Sequence, residues 1–273
     1  MITYTDQSQI ERRTKVAKYA SLSGLGIMLP GLVIALGGLA NPSFTAPEFV
    51  ALSYVSLIVG TVVATIGGRM AERWLMEPRD DQRLERALKG LDKRYRLVNF
   101  YTPADHVLLT PTGLYVIVVK DDTGLVSFDG KRWSQPTSLG RIWHDWRHGG
   151  LGNPTAEGEA QVAKLQAWVK PHGEGVDAPI QPLVVFSKPE VELTVPERYE
   201  QIMLLKSLKG YLQRHTTPAL PGPLYRALAD AVTPPAGEAV AVESNDAAEA
   251  AAEPVVKPTS RRKEKRRKKS RQN

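Results

Sequence analysis

The sequence predicts an α/β domain with the core order helix, three strands, helix, strand, preceded by a transmembrane helical hairpin and followed by a disordered basic tail. Three observations carry that reading. Two runs without a charged residue, Ala20 to Ala40 and Phe49 to Gly68, are each about the 20 residues a helix needs to cross the hydrocarbon layer. A short apolar run at 107–109, a β-branched run at 115–119 and an apolar strand pattern at 180–186 alternate with helical patterns. Finally, residues 261–273 hold nine Lys or Arg against one Glu.

The composition sets limits. With 273 residues and 42% hydrophobic content, the chain has enough apolar surface for one packed core plus appendages. It has no cysteine, which excludes disulfides and thiolate metal sites and fits a reducing compartment. The net charge of +7 suggests a polyanion-binding surface until it is located: the final 13 residues alone sum to +8, so the rest of the chain sums to −1. General attraction to polyanions therefore belongs to the tail.

Residues 1–18 form a cytoplasmic N-terminal segment in this reading, and residues 19–69 a transmembrane hairpin. The connector NPSFTAPE leaves no room for a domain between the two runs. A cleaved signal peptide is the competing reading of the first run, but its apolar stretch is long and the Ala-Asn-Pro junction is a poor cleavage site. Arg12, Arg13, Lys15 and Lys18 precede the first span, Arg69, Arg73 and Arg79 follow the second, and the connector holds no cation. By the positive-inside rule both ends face the cytoplasm. Gly31 and Ala35 in the first span, and Gly60, Ala64 and Gly68 in the second, recur at four-residue spacing, which favours close packing of the two helices over a dimer motif. Neither span carries an Asp, Glu, Lys, Arg or His, so an anchor is expected rather than a proton or ion path.

The folded domain is expected over 79–232. A charged helix starting at Arg79 places Leu84, Leu88 and Leu91 on one face. Strands follow at 96–101, 105–109 and 114–120, then a hairpin of 125–128 and 131–133 turning at Asp129-Gly130. Residues 135–152 show no clear period. Asn153 is a good N-cap and Pro154 a good first residue for a helix to about Val169. A strand at 180–186, a short strand at 201–205 and a helix at 207–214 complete the pattern. His106 is expected to face outward from its strand. From 233 to 273 the chain is rich in Ala, Glu and Pro and then polybasic; it cannot bury enough apolar surface to offset ordering entropy.

Asp105 opens one strand, Pro103 stands just before it, and Val118-Val119-Lys120 closes the next strand. Strand alternation puts Val118 and Lys120 on one face, with Val119 on the other. Glu85 lies in the preceding helix, and Asn153, Pro154 and Gln161 mark the following one. This constellation, over roughly residues 79 to 215, resembles the NERD (nuclease-related) domain, a branch of the restriction-endonuclease-like PD-(D/E)xK superfamily. The resemblance implies a nuclease site in which Asp105, Glu85 and the Val119 carbonyl hold Mg²⁺ or Mn²⁺. Lys120 would orient the attacking water, with Gln161 as a further catalytic residue. The sequence departs from the motif at Val118, where the family carries an acid. Hard Mg²⁺ wants several oxygens, so this loss weakens or removes the site unless Glu85, Glu157 or Gln161 compensates. Asp122 shares the face of Val118 but lies about 13 Å further along the strand.

The implied partners are nucleic acid, DNA before RNA, and a membrane through the hairpin; oligomeric state is open. The cluster Trp143 to His148 reads either as a metal clip at His144, Asp145 and His148 or as a base-stacking surface of Trp143, Trp146 and Arg147. GLGNP at 150–154 lacks the ending of a phosphate-binding P-loop. A second function class stays open: a non-enzymatic membrane scaffold whose basic tail grips anionic lipid or RNA.

Overall fold

The computed structural model describes residues 1–138, 140–142, 145, 149–170, 179–235 and 240–243. Two long helices, α1 (Gln7–Ala40) and α2 (Pro47–Leu75), are joined by a 3₁₀ turn at Pro42–Thr45. Both exceed the charge-free runs, so each continues past the apolar segment at its charged end. Of the most apolar stretch of each helix only 11% is buried, and Leu22, Leu29, Leu36, Ile58 and Val62 are exposed, which separates them from the core helices of a soluble fold. The two helices pack on their small residues. A Cβ on Gly60 would meet Met28 Cγ at 2.4 Å, and one on Gly67 would meet the Ser21 amide nitrogen at 2.4 Å. Gly31 also lies in the seam, against the Ser53 carbonyl, whereas Gly68, expected there, has open space around it. The reason is rotation: one residue moves a side chain about 100° around the helix.

The α/β domain is built on a sheet of order β10-β1-β2-β3-β4-β7-β9. Its centre is the meander β2 (Arg96–Asn99), β3 (His106–Thr110) and β4 (Gly113–Lys120), with β7 (Ile180–Phe186) parallel to β4 and β9 (Ile202–Leu204) parallel to β7. Apart from partly exposed Val119 and Lys120, β4 is buried throughout, as a central strand with helices on both faces requires. On one face, α3 (Asp80–Leu88) and α5 (Leu205–Arg214) pack on Leu97, Leu108, Ile117, Leu183 and Val185. On the other, α4 (Pro154–Val169) and α6 (Gly222–Val232) cover Val98, Val107, Leu109, Leu114 and Val116. Asn153 caps α4 as expected, its side chain accepting the Ala156 N–H at 3.2 Å. Helix α6 was not expected from the pattern.

Several expectations need correcting. The N-terminal segment 1–18, expected only to precede the hairpin, contains β1 (Ile2–Thr5), which pairs parallel to β2. Met1 and Ile2 donate their backbone nitrogens to the carbonyls of Leu91 and Tyr95, so the hairpin is tied to the domain from its first residue. Within the stretch expected to be disordered, β10 (Val240–Glu243) pairs antiparallel to β1; residues 236–239 and 244–273, including the basic tail, lie outside the described residues. A second sheet, of order β6-β5-β8, was only half foreseen. Its hairpin of β5 (Gly124–Phe128) and β6 (Trp133–Ser134) turns through 129–132, where the Asp129 carboxylate accepts the N–H groups of Lys131 and Arg132 at 2.7 Å each. The added strand β8 (Val191–Thr194) runs parallel to β5. His106 is buried, not outward-facing, because β3 is covered on both faces.

Candidate active site

Of the sequence-derived residues, Asp105, Val118, Val119, Glu157 and Gln161 line one cleft at the end of the meander where β3 begins and β4 ends, whereas Lys120 and Glu85 are not among its lining. Asp105 stands at the last position of the 100–105 turn, closed by the Phe100 N–H donating to the Asp105 carbonyl at 2.8 Å. Phe100 takes φ 63°, a conformation unfavourable for a bulky residue. Packing offsets that strain: the Phe100 ring is buried 5.0 Å from Trp74 of α2 and 5.0 Å from His106. The turn that presents Asp105 is thereby the place where the end of α2 docks on the sheet.

A small cleft here is lined by Arg73, Asp80, Asp105, His106, Ile117, Val118, Val119, Glu157 and Gln161. Its free space is about 10 Å³, the scale of one water molecule. Asp105 does not face Lys120. Its carboxylate oxygens face two guanidinium groups, Arg73 at 2.7 Å and Arg13 at 3.5 Å. Burial alone would raise the Asp105 carboxyl, but Arg73, with Arg13 behind it, holds it below the usual carboxylate range. Lys120 instead donates to Glu157 on α4 at 2.6 Å. Gln161, one turn further along α4, accepts the Asp105 backbone N–H at 3.4 Å. Gly158 permits this close approach, since a Cβ there would stand 2.8 Å from Pro182 Cβ and 3.5 Å from Val118 Cγ2.

Glu85 is not among the residues lining the cleft; the carboxylate from α3 that is there belongs to Asp80. Five residues along a helix is about 140° of rotation beyond a full turn, so the two acids face different ways. Burial raises the Asp80 carboxyl above its usual range, against the opposing charge of Arg83. Burial also raises Glu85, with Asp81 adding to it. Asp122 is bound elsewhere, 2.8 Å from Arg141. Val118 and Lys120 do share the face toward α4, as the alternation predicts, and Val119 packs on the opposite core. His106 is fully buried and its imidazole is pushed down to about 4, mainly by burial, with Arg73 adding to the effect. Its Nδ1 lies 2.9 Å from Asn99 Oδ1. Of the Trp143 to His148 cluster only Asp145 lies within the described residues, 3.1 Å from Arg141, so neither reading of that cluster is addressed. A larger concavity lies away from this chemistry, between β9 and α5, and its lining includes the His215 and Glu200 pair at 3.4 Å.

A mixed sheet with an Asp at the start of one strand, a Lys at the end of the next and a crossover helix supplying Glu157 and Gln161 defines a restriction-endonuclease-like α/β domain, here carried on an apolar helical hairpin. The family model of the NERD domain, described as a nuclease-related domain, matches residues 68–187, so this part of the chain is similar to nuclease-related domains. Comparison with curated proteins and with solved structures gives no match. The matched residues run from the end of the second apolar span through β7 and include every candidate site residue except Arg13.

This superfamily often uses divalent metals. The residues present do not fit one as they are arranged. Val118 replaces the second acid, the Asp105 oxygens are engaged by Arg73 and Arg13, and Glu157 is paired to Lys120. Among the described residues no group of three or more Asp, Glu or His side chains is close enough to hold a metal ion. Sequence reasoning missed Arg13, Arg73 and Asp80 as members of the site. The two arginines had been counted only as flanking charge.

Proposed function

We propose that this protein is a membrane-anchored, nuclease-related protein of the cell membrane, with both termini and the folded domain in the cytoplasm. Its domain binds nucleic acid, DNA in preference to RNA, and its metal-dependent phosphodiester cleavage is weakened or lost. The observation that carries this is the Arg73–Asp105 pair: a resident cation sits on the one carboxylate that a metal would need most. The loss of the second acid at Val118 points the same way. Orientation is supported by the cations that flank the hairpin and are missing from its connector.

The test uses the full chain and a form lacking residues 261–273, both in nanodiscs. Duplex DNA and RNA are titrated over a salt series, and cleavage is followed with Mg²⁺ or Mn²⁺. The expected outcome is DNA binding that survives tail removal, with a shallower salt dependence, and slow or undetectable cleavage. Losing nine cations would flatten the slope of log K against log salt by at most about 8. Binding that vanishes with the tail supports instead the scaffold reading, and fast metal-dependent cleavage overturns the claim of a weakened site.

A further inference from the structure

The two arginines on Asp105 come from the charged ends of the two apolar helices, and their depth is constrained by helix geometry. Arg73 follows Gly68, the last residue of the second charge-free run, by about 8 Å of helix rise, and Arg13 precedes Ala20 by about 10 Å. The headgroup layer on each side of a bilayer is about 5 to 8 Å thick. Flexible arginine side chains span the remaining distance. In a spanning hairpin the backbone of Arg73 would therefore lie at the outer edge of the headgroup layer and that of Arg13 just beyond it, within side-chain reach of lipid phosphates.

Their local environment is a site in its own right. Both guanidinium groups lie over the Trp74 indole, Arg13 at 4.9 Å and Arg73 at 5.6 Å from its ring centre. Trp74 is buried against Phe100 and Ile10, so the pair is mounted on a rigid base. Each arginine shows one hydrogen bond to Asp105, yet a guanidinium has five donors, and the two side chains are 42% and 51% exposed. Two cations against one carboxylate leave a charge of +1, which one phosphodiester monoanion would neutralise. Arginine forks match phosphate geometry.

We infer that Arg13 and Arg73, on the Trp74 platform beside Asp105, form a binding site for the phosphate of an anionic phospholipid. The inference rests on the proposal that the hairpin spans the membrane. A lipid is the source that the depth favours, because at that level the surrounding phosphates belong to the bilayer. Occupancy would place a lipid headgroup at the mouth of the nuclease-like cleft, close to Asp105.

The experiment reconstitutes the full chain in phosphatidylcholine nanodiscs doped with phosphatidylglycerol and counts retained lipids by native mass spectrometry after gentle release. Arg13→Gln with Arg73→Gln is compared with Arg12→Gln with Lys18→Gln, which removes equal charge from the same region. Phosphatidylglycerol is expected to be retained about tenfold over phosphatidylcholine by the wild type and the second pair, and to lose that preference in the first pair. Equal loss in both pairs, or no preference in the wild type, overturns the site. Full displacement by inorganic phosphate or a short DNA duplex also overturns it, since the ligand would then be soluble. If the first pair fails to fold, the wild-type preference and the two competitions still decide. A protein that stays in the bilayer through an alkaline wash but shows no lipid preference refutes this site alone, whereas one that washes off refutes the anchoring on which it rests.

Discussion

The Arg73 guanidinium lies 2.7 Å from the Asp105 carboxylate, across the boundary between the second apolar helix and the nuclease-related sheet. Both side chains are partly exposed, so the pair contributes only about 0.2–1 kcal/mol to stability. Its consequence is chemical. A carboxylate already compensated by a guanidinium offers a divalent cation little gain.

That relationship changes what a repair of the motif should do. Val118→Glu alone adds an acid, but Arg73 remains to neutralise the cluster. Val118→Glu with Arg73→Gln sets a second carboxylate on the adjacent strand and leaves Asp105 only its longer contact, to Arg13 at 3.5 Å, with Val119 also lining the cleft. Mn²⁺ retention, read by electron paramagnetic resonance, is expected to rise in the order wild type, Val118→Glu, double variant, with the double variant exceeding the sum of the single changes. Purely additive effects would show that Arg73 does not occupy the position of the metal. Any metal-dependent cleavage that appears is expected to be lost on Lys120→Ala.

Gly158 tests how the cleft is held closed. A methyl group at this position meets Pro182 Cβ at 2.8 Å, and that proline is fixed in β7. Gly158→Ala is therefore expected to push α4 off the sheet at a cost of about 1–3 kcal/mol despite alanine's better helix propensity. The shift also lengthens the 2.6 Å contact between Lys120 and Glu157. Thermal unfolding in detergent checks the first effect. An unchanged or raised midpoint would mean that α4 does not approach this closely.

The parts of the fold that were legible are those with local signatures. The runs 114–119 and 183–186 are continuously apolar because they pair in parallel at the sheet centre, and Asn153-Pro154 marks its helix by capping chemistry alone. What was not legible depends on partners distant in the chain. Ile2–Thr5 is four residues long, and it becomes a strand only because Arg96–Asn99 offers an edge some ninety residues away. The site divides in the same way. Asp105, Lys120 and Gln161 were named from the resemblance to the family, whereas Arg13 and Arg73 have the same sequence context as any positive flank of a membrane helix. Glu85 came from the family resemblance, which does not fix the rotation of a nine-residue helix; the acid of that helix lining the cleft is Asp80.

Trp74 joins the two halves of the molecule, packing with Ile10 and Ala17 on one side and Phe100 on the other. Trp74→Ala is expected to cost about 3 kcal/mol or more and to loosen the strained Phe100 turn. Amide hydrogen exchange resolves the effect: Phe100 and His106 should exchange faster, while the central β4 amides keep their protection. Uniform loss across the sheet, or no change at the turn, would contradict a local docking role.

His106 makes the protein sensitive to mild acid in a defined direction. The buried imidazole titrates at about 4 in the native state against an ordinary 6.5, so between these values the unfolded chain takes up a proton that the native state refuses. Stability is then expected to fall as pH drops from 6.5 toward 4, by up to about 3 kcal/mol. Asp105 and Asp81 face the ring and favour its charged form, while burial and Arg73 oppose it. Asp80, Glu85 and Asp122, all raised by burial, act in the opposite sense, because the native state holds their protons to higher pH than the unfolded chain does. The wild-type curve alone is therefore a mixture. The informative quantity is the difference in unfolding free energy between wild type and His106→Gln, measured from pH 7 to pH 4 by chemical denaturation. That difference should shrink as the pH falls, because only the wild type loses the imidazole contribution. If it stays constant, the imidazole is not held neutral in the native state.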